Sequence, residues 1–151
     1  MLRDPSLIPL SHQHHNGLAL CVLTDRTLRT DATPQTRKML AARIRERFDI
    51  ELANHFRVEE EILFPAVIRH LGPSELIDRL IAEHRQMEQM VDALQQDPAG
   101  PRIEEFLGVL RRHIRCEESD LFESIQKALP REVLDQVGRE IDENVIRVCL
   151  E

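Results

Sequence analysis

Residues 55–71, HFRVEEEILFPAVIRHL, return without a gap at residues 113–129 as HIRCEESDLFESIQKAL. Seven of the seventeen positions are identical: His55/His113, Arg57/Arg115, Glu59/Glu117, Glu60/Glu118, Leu63/Leu121, Phe64/Phe122 and Leu71/Leu129. Upstream of the two copies, Gln13-His14 falls in register with Glu83-His84, and Leu10 with Leu80. The chain therefore divides into two helical hairpins, each carrying one lone His and one HxxxE. Two such hairpins packed about a pseudo-twofold axis predict an all-α four-helix bundle.

Punctuation marks the segments. Thr33-Pro34 is an N-cap followed by a first-turn proline, and Gly72-Pro73-Ser74 and Asp97-Pro98-Ala99-Gly100-Pro101 interrupt the helical periodicity. Helices are expected over about 11–30, 34–70, 73–96, 101–128 and 130–149. Period-two alternation is absent, so no strands are expected. Pro65 should kink the second segment or end its main part early. One domain is expected over residues 1–151, with a core bundle at about 10–129 and an added C-terminal helix at about 130–149.

Stripes at three- and four-residue steps mark the buried faces. On the second helix the stripe runs Ala41, Ile44, Phe48, Leu52, His55, Glu59, Ile62, Ala66. On the third it is Ile77, Leu80, His84, Met87, Val91, Leu94, and on the fourth Ile103, Phe106, Leu110, His113, Glu117. Titratable residues thus sit in the middle of core faces, which is costly unless something satisfies them.

The spacing suggests what does. In HxxxE the two side chains lie one turn apart on one face, so both reach the same point in the core. His14, His55, Glu59, His84, His113 and Glu117 together supply four imidazoles and two carboxylates. That set is too rich for a closed tetrahedral zinc site, and it lacks the thiolate of a Cu(I) or iron–sulfur site. Two metals sharing bridging Glu59 and Glu117 use all six residues. The remaining positions would be open to an oxo or hydroxo bridge, water or a diatomic gas. Two Fe ions fit best, with Zn as a possible substitute.

Composition narrows the alternatives. Lys and Arg total 20 against 27 Asp and Glu, a net charge of −7, which disfavours a nucleic-acid partner. Five Phe, with no Tyr or Trp, leave little for base stacking. Cys21, Cys116 and Cys149 form no CxxC pair, and the apolar run at residues 18–23 is too short to span a bilayer. A soluble, cytoplasmic protein with no membrane partner is expected.

The motifs QHHNGL (13–18), NHFRVEEEILFPA (54–66), AEHRQMEQM (82–90) and RHIRCEESDLF (112–122), in this order, resemble those of the hemerythrin-like proteins with an HHE cation-binding domain. The resemblance runs from Leu10 to about Leu129. It implies an up-down four-helix bundle holding two irons bridged by carboxylates and an oxygen species, with His14, His55, Glu59, His84, His113 and Glu117 as ligands. The invertebrate oxygen carriers have a second His four residues after the third-helix His. Glu88 stands there, so the chain looks more like the bacterial and iron-sensing branch.

Two functions follow. One is a metal-binding protein that binds or senses O2, NO or iron at a di-iron centre. The other is a di-iron redox enzyme that reduces peroxide or NO, or oxidises iron for storage. With no separate acid–base pair in the sequence, binding is the reading taken, without catalytic residues.

Bystanders are named by the same logic. His12 and His15 compete with His14, and the repeat register and the stripe His14, Leu18, Cys21, Leu28 favour His14. His70 is read as solvated. Glu60 and Glu118 are read as solvent-facing or as orienting a His ring, Glu88 as a satisfied edge carboxylate that could coordinate, and Met87 as core. Cys116 is read as a small buried hydrophobe. The C-terminal stripe Leu134, Val137, Ile141, Val145, Val148 either caps the bundle or, with Ile146 and Leu150, forms a homodimer face.

Overall fold

The computed structural model describes residues 1–148; Cys149 and Leu150, read above from the sequence, lie outside the described residues. A short 3-10 turn, Pro5–Leu7, leads into α1, Ile8–Thr30. The long helix α2 covers 34–71, α3 is Glu75–Gln96, α4 covers 102–128 and α5 is Arg131–Asn144. There is no strand among the described residues.

The starts are where the punctuation places them. Thr33 caps α2 by accepting from the Thr36 amide at 3.2 Å, with Pro34 in the first turn, and Ser74 caps α3 by accepting from the Ile77 amide at 3.2 Å. Gly72 turns the chain at φ +89°, which side-chain-bearing residues rarely adopt. Connections this short force antiparallel neighbours. Around the ring α1 packs on α2 and α4, and α3 on α2 and α4.

Two departures from the expected helices matter. The first concerns Pro65, which neither ends nor breaks α2; the helix runs on to Leu71. Immediately before it, Glu59–Leu63 is a π turn in which the Phe64 amide reaches back five residues to the Glu59 carbonyl. That wider turn has already interrupted the i→i−4 ladder, so Pro65 sits near the start of a resumed α segment, where its missing N–H costs little. The extra residue also shifts the buried face. Leu63 is fully buried, whereas Ile62, placed on the stripe by α-helical steps, is only partly so. The repeat carries the same π turn at Glu117–Leu121, without a proline, and α2 has another at Phe48–Leu52.

The second departure is α5, which stops at Asn144; Val145 is extended, with ψ 140°. Leu134, Val137 and Ile141 are buried against Leu7, Leu10 and the lower ends of α2 and α4, so this stripe covers the chain's own bundle. Of the residues named for a dimer face, Val145 and Val148 are partly buried and Ile146 is exposed.

The core is in two parts. One apolar cluster holds Leu10, Leu63, Phe64, Leu80, Leu121 and Phe122 with α5. The other holds Cys21, Ile44, Phe48, Phe56, Met87, Phe106 and Leu110. Between the two clusters each of the four bundle helices contributes one buried His, and α2 and α4 each add a buried Glu.

Candidate metal centre

The polar layer is assembled from one turn of each helix. His14 comes from α1, His55 and Glu59 from α2, His84 from α3, and His113 and Glu117 from α4. None is more than 3% exposed. Two groups form around the shared carboxylates: His14, His55, Glu59 and Glu117, and Glu59, His84, His113 and Glu117. Within each group the potential ligand atoms all lie within 4.8 Å of one another. All six residues predicted from sequence therefore converge.

Their contacts are close. His14 Nε2 is 2.7 Å from Glu117 Oε2, and His113 Nε2 is 2.7 Å from Glu117 Oε1. His55 Nε2 lies 3.1 Å and His84 Nε2 3.4 Å from Glu59 Oε1. The Nε2 atoms of His84 and His113 face each other at 3.2 Å.

Each imidazole is held from behind through Nδ1. Glu118 holds His14 at 2.9 Å, Glu60 holds His84 at 2.8 Å, Glu83 holds His113 at 2.8 Å, and the Gln13 side-chain oxygen holds His55 at 2.9 Å. The pattern follows the repeat. The residue before each lone His serves the HxxxE histidine of its own hairpin, and the second Glu of each HxxxEE serves the lone His of the other hairpin. A hydrogen bond at Nδ1 fixes the ring and turns Nε2 toward the centre. Rings also stack: Phe56 lies 3.9 Å from His84 at 12°, and Phe122 5.3 Å from His14 at 21°.

Glu60 and Glu118 thus take the ring-orienting role, tied outward to Arg85 and, at 2.7 Å, to Arg3. The reading of Gln13 and Glu83 from sequence went no further than their register; the signal was there, as the residue preceding each lone His. His12, His15 and His70 are exposed and outside both groups, and Glu88 is at the bundle edge, 3.4 Å from Arg85. Met87 is buried, as expected of core. Cys116 differs from its reading. It is only half-buried, packing on the edge of the first apolar cluster and accepting from Arg79 of α3 at 3.1 Å.

The electrostatics are unresolved by the protein alone. Burial, and next the neighbouring Glu117, push the Glu59 carboxyl well above its ordinary value. Burial also opposes charge on Glu117, but His113, His14 and His55 hold it well below the usual carboxylate range. Burial works against charge on His14 as well, yet Glu117 and Glu118 lift it to about 9. Burial, followed by the charge of His14, pushes His55 down to about 3. His55 Nε2, both oxygens of Glu59 and Glu117 Oε1 are buried without a hydrogen-bond partner. Such groups are rare unless a cation satisfies them. A hard-to-intermediate divalent or trivalent metal suits this nitrogen and oxygen donor set.

The chain is 28% identical over 95 residues to a protein of Nostoc sp. (strain PCC 7120) described as a DNA nickase. That match takes in 60% of this chain and 27% of the Nostoc protein, so the chain spans about a quarter of the curated relative. No solved structure matches. Among the described residues, no helix is long and apolar enough to cross a membrane. The model of the hemerythrin HHE cation-binding domain matches residues 7–125, the span from the turn before α1 almost to the end of α4, and with the His and Glu layer inside that span the chain belongs to the hemerythrin HHE cation-binding family.

Proposed function

We propose that this chain holds two iron ions between its hairpins and uses them to bind or sense oxygen, nitric oxide or iron. His14 and His55 would hold one ion, His84 and His113 the other, and Glu59 and Glu117 would bridge both. The observation that carries the reading is the convergence of two buried carboxylates and four ring nitrogens, several without any partner. Bound iron supplies reversible electron exchange and positions open to a small ligand.

The chain's own residues supply the rest. Glu118, Glu60, Glu83 and Gln13 hold the four rings in one orientation before metal arrives, which lowers the ordering cost of binding. The apolar clusters above and below, with Phe56 and Phe122 against the rings, keep bulk water from the layer. The free polar atoms of the layer, His55 Nε2, the Glu59 oxygens and Glu117 Oε1, all lie at its buried centre between the two apolar clusters, which favours binding a very small ligand over positioning an organic substrate.

Metal analysis of protein from iron-replete cells tests this. About two irons per chain are expected, with near-ultraviolet charge-transfer absorption after oxidation that changes on adding O2 or NO to the reduced protein. One zinc and no iron would overturn it. Steady-state turnover of peroxide or NO above that of metal-free protein would move the function to a redox enzyme.

A further inference from the structure

The repeat is broken at one place behind the metal layer. Three ring nitrogens are backed by carboxylates, but His55 is backed by the amide of Gln13. A carboxylate accepts a hydrogen bond in any orientation; an amide accepts only through its oxygen, so something must fix which way it points.

The last residue of α5 and the extended residues after it do so. The Asn144 carbonyl can only accept, and it takes a hydrogen bond from Asn54 Nδ2 at 2.9 Å. The Ile146 amide can only donate, and it gives to Asn54 Oδ1 at 2.9 Å. The Ile146 carbonyl accepts from Gln13 Nε2 at 3.1 Å, and the same nitrogen donates to Asn54 Oδ1 at 3.0 Å. These backbone groups leave Gln13 Oε1 as the only atom facing His55. The proton of His55 must therefore sit on Nδ1, leaving Nε2 free toward Glu59. Gln13 and Asn54 are 3% and 7% exposed, so water does not compete for them.

The other hairpin has no such arrangement. Arg112 stands in register with Asn54 and is exposed, and Glu83 needs no orientation. We propose that the strap of residues 144–146 is part of the metal centre: through Asn54 and Gln13 it sets His55, making the His14/His55 position the weaker of two and coupling its filling to the C-terminal segment. This rests on the two-metal reading above. Carboxylate backing strengthens an imidazole ligand, and one position has two such ligands while the other has one. The His84/His113 position fills first. Because metal on His55 locks the ring, the second metal also tightens the strap.

The test is an anaerobic titration of the full chain with Co(II), followed by its visible absorption, with hydrogen exchange measured across 144–148 at each stoichiometry. Two unequal steps are expected, and exchange of the strap slows only with the second. Asn54→Leu releases the strap and weakens the second step about tenfold or more, the first staying within twofold. Gln13→Glu gives His55 a carboxylate, so the two steps draw together while strap exchange, with only Asn54 still holding the strap, becomes metal-independent. The second variant keeps the inference testable should the first not fold. Two equal steps, equal weakening of both by Asn54→Leu, or strap exchange indifferent to metal in the wild type would overturn the inference and leave the two-metal centre standing. Failure to bind a second equivalent in any wild-type preparation would overturn both.

Discussion

His14 is a buried imidazole between two carboxylates, Glu117 at 2.7 Å and Glu118 at 2.9 Å, and they lift it to about 9 when no metal is bound. It is therefore protonated at pH 7.5, and a ligand must be neutral. Metal loading should expel a proton there, and affinity should rise with pH up to about 9 and then level off. Calorimetric titrations in buffers of different ionisation enthalpy read this directly; heats independent of buffer would contradict it. The same elevation works on stability in the metal-free chain: the His14 contribution is fully present below about 6.5 and is lost as pH rises through about 9.

Glu59 shows the opposite balance, a carboxyl raised by burial and by Glu117. A folded-state value above the unfolded one means that metal-free stability falls as pH rises above the ordinary carboxylate range. Glu59→Gln should remove that penalty and stabilise the metal-free fold by about 1–4 kcal/mol at pH 7, while costing both metals. Glu117→Ala should also cost both, whereas His15→Ala and His70→Ala should leave stoichiometry at two and affinity unchanged, and Glu60→Ala should weaken the His84 position, whose ring it orients. Urea titration and metal analysis on the same samples check the set.

At the scale of elements, the π turns and α5 decide what the helix faces present. Because Glu59–Leu63 inserts a residue into the turn, Leu63 rather than Ile62 fills the core. Leu63→Ala should cost about 2–5 kcal/mol, and Ile62→Ala clearly less, by chemical denaturation. The turn also lets consecutive residues work in different places, Glu59 in the layer and Glu60 behind His84. On α5, a Cβ at Gly138 would come within 2.8 Å of Ser6 Cβ and 2.9 Å of Ser6 Cα. Gly138→Val should therefore lift α5 from the N-terminal turn, costing about 1–3 kcal/mol and speeding exchange over 131–148. An unchanged exchange pattern would show that the contact relaxes freely.

For the whole molecule, two apolar clusters enclose one polar layer, and only the layer calls for metal. Chelation should leave far-ultraviolet circular dichroism largely intact while lowering Tm, because the bundle has its own core. Free metal at 100 times its dissociation constant should add about 2.7 kcal/mol per site. Collapse of the helices on chelation would mean that the layer's buried charge outweighs the two clusters.

The sequence by itself determined the bundle, its pseudo-twofold repeat and the six residues of the layer. Helical spacing puts HxxxE on one core-facing stripe, and duplication puts two such pairs and two lone histidines at one height. It favoured His14 over His12 and His15 without deciding between them; the structure does, burying His14 and leaving the other two exposed. What periodicity could not carry was the phase shift at the π turns, because a single added residue depends on hydrogen bonds five apart and leaves no composition signal of its own. Nor could it show that α5 lies on the chain's own N-terminal turn, since an apolar stripe fits any apolar partner. The choice of Asn54 and residues 144–146 to fix Gln13, and through it His55, belongs to the tertiary structure alone: Gln13 and Ile146 stand 133 residues apart and meet only when the bundle closes.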